Sequence, residues 1–307
     1  MANLEADVLG ICPQDYHLPN DIVDHLLCHF SDGPLLSDVA AKAIVIAENP
    51  TSSVRDITLV IESDPSLAMR ILRIANSVLY SPATPILSLE NAIARIGFRE
   101  CTSIIYASCI ARMLEKSTLA DEWTRTVLRD HAFSTAILSR HLNELLSLGY
   151  QGEDFTCGLL HDLGRILIAS YSPSIFQAGD DLTFGDESMQ VTHEDRLWGS
   201  NHCEVGAVFV ARSGLPAAAV DVIRHHHAPA EEPHPPLVTL VAAADHAANS
   251  LVCRTYTGTY DPSTNEYFSE LISHRSPAER ATLLEQFIEL IGQTNDATSQ
   301  MIAAFCS

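Results

Sequence analysis

The chain has 307 residues, 47% of them hydrophobic and 7% aromatic, which is length and apolar content enough for a buried core. Its 18 basic and 39 acidic residues leave a formal charge of -21, so general nucleic-acid binding and adsorption to anionic lipid are not expected. The first residues lack a basic stretch followed by an apolar one, no apolar run reaches membrane-spanning length, and the 8 cysteines form no CxxC pair; the expectation is a reduced, cytoplasmic protein.

Residues 1 to about 17 read as a tail or short capping segment, and a helical period begins at Asp21. Asp38 to Glu48 is amphipathic, and Asn49-Pro50 ends it because proline cannot continue the helical ladder. Ser53 to Ser63 is a second helix. Asp64-Pro65 restarts the chain, with Asp64 as N-cap and Pro65 in the first turn, and Leu67, Ile71, Leu72 and Ala75 then share one face. Leu89 to Gly97 is a helix closed by its glycine, and a long apolar helix follows from about Cys101 to Leu114.

In the second half, a helix from about Ala120 to Leu148 carries Trp123 and His131, and Gly149 closes it. A helix from about Phe155 contains His161 and Asp162. Past a polar stretch from Ser172 to Thr192, one helix contains both Glu194 and His202. Pro216 starts a helix that ends in His225-His226-His227, the proline-rich stretch from Pro229 is a loop, and Val238 to Leu251 is a helix with Asp245. Pro277 to Ile291 and a last short helix close the chain. Alternating strand patterns and Asn-Gly turns are nearly absent, so the fold class is all-α.

Charged and polar groups inside apolar helices need partners. Here they recur in the order His131, His161-Asp162, His202, the run His225 to His227, and Asp245. Imidazole and carboxylate together suit Fe, Mn, Zn or Ni. Successive helical residues diverge by about 100°, so His161 can bind one ion while Asp162 leans between two. His131 and Asp245 would complete the first ion, and His202 with two of the three clustered histidines the second. Each residue also has a plainer reading: His131 as a core histidine, the histidine run as a solvated helix end, Asp245 as a local cap. Asn76-Ser77 reads first as a helix-end pair bonded to the backbone, and Arg70 and Arg73 as a solvated face.

The stretches Glu62-Ser-Asp-Pro to Asn76-Ser77, Ile86 to Gly97, Gly158-Leu-Leu-His161-Asp162-Leu-Gly-Arg165, Glu194 to Gly206, Leu215-Pro216 to Pro229 and Ala243-Ala-Asp245 resemble the HDOD domain, the HD-related output domain of bacterial signalling proteins. The resemblance covers about residues 30 to 252. It implies a multi-helix HD-like bundle with an N-terminal helical subdomain. The corresponding layout is a tail or capping helix over 1–29, an N-terminal helical half over 30–118, an HD-like half over 119–252 and a C-terminal helical extension over 253–307. Carried over by position, it implies a dinuclear divalent metal site (Fe, Mn or Zn) on His131, His161, Asp162, His202, His226, His227 and Asp245. The HHxP register selects His226 and His227 over His225.

The resemblance implies a regulatory protein of signal transduction that binds a signalling partner protein or a nucleotide. The alternative is an active phosphohydrolase on a nucleotide or phosphomonoester, with Asp162 and Arg165 as catalytic residues and Arg165 steadying the phosphate. Cyclic di-GMP cleavage is not expected: Ala-Pro-Ala-Glu-Glu-Pro follows His227 where that branch has a GYP segment, and Val127 stands where some trinuclear relatives have a carboxylate. An apolar stripe of Leu283, Leu284, Phe287, Leu290 and Ile291 makes the C-terminal extension a candidate for homodimerisation or partner docking, provided the stripe is exposed.

Overall fold

The structure is a computed structural model that describes residues 21–29, 38–49, 51–77, 84–116, 122–180, 182, 187–213, 215–227, 235–252 and 260–306. Among these residues every regular element is helical. The N-terminal part comprises α1 (Ile22–His29), α2 (Asp38–Glu48), α3 (Val54–Ile61), α4 (Pro65–Ala75), α5 (Leu89–Ile96) and α6 (Phe98–Lys116). Its ends follow from local chemistry. Ser53 and Asp56 cap each other's backbone at the start of α3, and Asp64 accepts from the amides of Ser66 and Leu67 with Pro65 behind it. The core face of α4 is Leu67, Ile71, Ile74 and Ala75; Leu72, expected there, is only half-buried. Asn76 bonds backbone, as its cap reading implied: its amide donates to the carbonyls of Leu72 and Ile86 and accepts from the Ile86 amide. Arg70 reaches the Ser108 carbonyl at 3.3 Å, tying α4 to α6.

The second part is built around α7 (Glu122–Leu146) and α14 (Pro236–Val252), which pack together along their lengths. Val241, Ala242, Ala243, Ala244, Ala247 and Ala248 of α14 are fully buried, so this helix is apolar nearly all round and lies in the centre. Around the pair lie α8 (Glu153–Leu160), α9 (Leu163–Tyr171), α10 (Pro173–Gly179), α11 (Glu187–Trp198), α12 (His202–Arg212) and α13 (Ala217–His225). A 3₁₀ turn (Pro262–Thr264), α15 (Glu266–Leu271) and α16 (Pro277–Cys306) follow.

Three expectations are corrected. The helix expected to run through His161 and Asp162 is broken there: His161 closes α8, Asp162 opens α9, and the two form a turn. The single helix expected to carry Glu194 and His202 is α11 and α12, separated by a bend at Gly199 and restarted by Asn201 as N-cap. The end of the chain is one 30-residue helix, α16, rather than two. Its apolar stripe faces inward: Phe287 and Ile291 are buried, Phe287 stacks on Phe268 with centroids 4.4 Å apart, and α16 lies on α4, α6 and α7. Phe287 and Ile291 of that stripe belong to the core, and Leu283, Leu284 and Leu290 are half-buried. The proline-rich loop expected after His227 falls mainly outside the described residues.

One close crossing places the site. A Cβ at Gly164 would stand 1.8 Å from the His202 carbonyl oxygen, and one at Gly206 would stand 2.9 Å from the Gly164 nitrogen. Only glycines let α9 and α12 touch backbone to backbone, which brings His202 beside the His161-Asp162 turn.

Candidate metal centre

His131 projects from the middle of α7 and Asp245 from the middle of α14, so the packing of the two longest central helices brings them together. Asp245 Oδ1 lies 2.9 Å from His131 Nε2 and 3.3 Å from His161 Nε2, and those nitrogens are 3.1 Å apart. Asp162 Oδ2 completes this group at 3.4 and 3.6 Å from the same two nitrogens. Its other oxygen faces a second group: Oδ1 is 3.4 Å from His202 Nε2 and 3.6 Å from His226 Nε2. His227 Nε2 is 3.1 Å from His202 Nε2, and its Nδ1 is 4.0 Å from Asp245 Oδ2. The break at His161-Asp162 is what lets one carboxylate look both ways. His225, the remaining histidine of the run, ends α13 and is half-buried.

The outer nitrogens orient these rings. His161 Nδ1 is 2.7 Å from the Gly158 carbonyl, His226 Nδ1 is 2.9 Å from that of Ile223, and His202 Nδ1 is 2.6 Å from Glu194 Oε2. An Nδ1–H donated to oxygen leaves Nε2 as a lone pair aimed into the cluster. Donors sharing one ion at about 2.0–2.2 Å stand roughly 3–3.6 Å apart, the spacing found in both groups.

Two atoms point to a missing ligand. Asp162 Oδ1 and His226 Nε2 are buried with no hydrogen-bond partner, which costs free energy unless a cation sits between them. The charge balance agrees: Asp162, Asp180, Glu194 and Asp245 are buried at or beside the cluster, against the guanidinium of Arg165. Burial pushes the Asp162 and Asp245 carboxyls up, but Arg165 and His161 at Asp162, and His161 and His131 at Asp245, hold both well below the usual range. Burial likewise holds His226 down and His227 well down, which keeps them as neutral donors. For His131 and His202 burial is outweighed, by Asp162 and Asp245 in one case and by Cys203 and Glu194 in the other, and both are raised.

Arg165, expected to present its guanidinium to a phosphate, is 5% exposed. It donates through Nε and Nη2 to Asp180 at 2.6 and 2.8 Å, and through Nη1 to Asp162 at 3.0 Å. With its fork occupied by two carboxylates, it positions Asp162 instead. Sequence reasoning missed Asp180, Cys203 and the role of Glu194. The one available signal was Arg165 itself, since a buried guanidinium in an apolar helix requires a buried carboxylate.

The sequence profile of the HDOD domain family matches residues 34–229. The chain belongs to the HDOD domain family. The HDOD match holds six of the seven donors, and Asp245 lies beyond it. A Treponema pallidum (strain Nichols) protein named "Uncharacterized protein" is 28% identical over 203 residues, which is 64% of this chain and 38% of that protein. The chain thus spans well under half of that relative. Among solved structures, an HDOD domain protein with unknown function from Geobacter sulfurreducens superposes with a TM-score of 0.73 at 21% identity, covering 90% of this chain and 97% of its own. A Shewanella amazonensis SB2B protein named "Putative phosphohydrolase" gives 0.66 at 23% identity, with the same coverages of 90% and 97%. At these identities the structures share the HDOD fold. No helix among the described residues is long and apolar enough to cross a membrane.

Proposed function

We propose that this HDOD protein is a regulatory component of signal transduction whose seven donors hold two divalent ions, Fe, Mn or Zn, as a structural centre. The first position uses His131, His161, Asp162 and Asp245; the second uses His202, His226, His227 and the other oxygen of Asp162. Bound there, the ions supply the positive charge that the buried carboxylates lack and cross-link α7, α9, α12, α13 and α14. One observation carries the structural rather than the catalytic role: no donor side chain is more than 8% exposed. Donors shielded to that degree favour a closed, structural centre over one with an open position.

Recognition then belongs to the surface between the two halves. A cavity of about 450 Å³ opens there between α2, α6, α8 and α13, lined among others by Asn49, Arg99, Tyr106, Gln151 and Thr156. That is within the range of small-molecule sites, and it suits a nucleotide or the anchoring side chains of a signalling partner. The test is a comparison of metal-loaded and chelator-stripped protein. Loading should raise the Tm while turnover of phosphomonoesters and cyclic and linear nucleotides stays at background. Metal-dependent turnover lost in Asp162→Ala would overturn the structural role.

The second reading, a metal-dependent phosphohydrolase, is favoured by the donor chemistry. A carboxylate whose two oxygens face separate nitrogen-rich groups is the arrangement two-metal hydrolases use to supply Lewis acidity. In that reading His131, His161 and Asp162 would hold metal, Glu194 would orient His202, and Arg165 would fix Asp162 through its ion pair.

A further inference from the structure

Cys203 stands outside both ligand sets. It is the second residue of α12, directly after His202, and is 5% exposed. Its Sγ lies 3.4 Å from His202 Nε2, the nitrogen that is 3.1 Å from His227 Nε2. Cys203, His202, His226 and His227 each offer a donor atom within 4.8 Å of all the others. A sulfur at about 2.3 Å and a nitrogen at about 2.0–2.1 Å from a shared ion stand roughly 3.3–3.6 Å apart at a near-tetrahedral angle, which the 3.4 Å between Cys203 Sγ and His202 Nε2 matches. A second, independent observation points to the same space: His226 Nε2 is buried and has no hydrogen-bond partner.

We propose that the Cys203 thiolate is a fifth ligand of the second ion, beside His202, His226, His227 and Asp162 Oδ1. The second position is then a sulfur-containing site that selects a thiophilic divalent ion such as Zn(II), while the first remains a nitrogen–oxygen site. The inference rests on the two-ion reading above and deepens it. Ligation releases the thiol proton to solvent, with no change of oxidation state. The thiolate also fills the coordination position a substrate would need at this ion, in keeping with a structural centre.

The experiment is anaerobic Co(II) loading of the stripped full chain, read by absorption and by elemental analysis. Two bound equivalents with a thiolate-to-cobalt charge-transfer band, the band disappearing in Cys203→Ser while cobalt remains bound, is the expected result. Two equivalents without the band in wild type overturn the thiolate and leave the centre standing. A band that persists in Cys203→Ser assigns it to another cysteine and also overturns the proposal. No bound cobalt overturns both the thiolate and the two-ion reading. X-ray absorption of the Zn(II)-loaded wild type needs no variant: a sulfur shell at about 2.3 Å is expected, and a nitrogen–oxygen shell alone contradicts it.

Discussion

His131 and Asp245 stand in mid-helix on α7 and α14 and meet at 2.9 Å, whereas His202, His226 and His227 sit at the ends of the shorter α12 and α13, with the His226 Nε2 unsatisfied. The His131–Asp245 pair is preorganised by the core. Moving either residue means moving a central helix against its partner. The donors at the helix ends are held by braces: Glu194 on His202, the Gly164 crossing, and Arg165, which Asp180 pulls against Asp162. Donors in helix interiors inherit the rigidity of packing, while donors at helix ends depend on their hydrogen-bonded supports.

The largest expected effect is that of Asp162→Ala, which removes the group common to both positions. Elemental analysis should show the loss of both metals. The histidines separate the two ends: His131→Ala should remove about one equivalent and leave the other, and His226→Ala the converse, as counted by elemental analysis with each metal's identity. If either single variant empties both positions, the two ends are one cooperative unit and the contrast drawn above is wrong.

The braces give graded effects. Gly164→Ala forces a Cβ into the His202 carbonyl, so α9 and α12 must separate; the second position should be lost while the first persists, with a lowered Tm. Glu194→Gln keeps the shape and removes the charge behind His202. It should weaken only the second ion, by about 10–100-fold in a chelator competition. The smallest effect on the centre is expected from Phe287→Ala. It should cost about 3–5 kcal/mol of stability in denaturant titration, leaving oligomeric state and metal content unchanged, because α16 covers the core rather than a partner.

The helical class was legible in the sequence because apolar periodicity and caps such as Ser53 and Asp64 are local signals. The histidine and aspartate order was legible for a related reason: polar groups stand out inside apolar frames. What stayed hidden depends on pairing across the fold. Periodicity continues smoothly through His161-Asp162 and cannot reveal a break that tertiary contacts impose at the Gly164 crossing. Asp180 lies in a polar stretch that reads as solvated, and only its 2.6 Å contact with Arg165 shows it buried. The stripe on α16 marked a face to be covered without saying by what. Cys203 looked like one scattered thiol among several until α12 placed it against the histidines.

The most direct test of the two-ion centre is elemental mass spectrometry on wild type and Asp162→Ala, each purified without tag or chelator. The account predicts about two equivalents of Fe, Mn or Zn in wild type and close to none in the variant. Wild type that stays empty after anaerobic reconstitution, or a variant that keeps both metals, would contradict it.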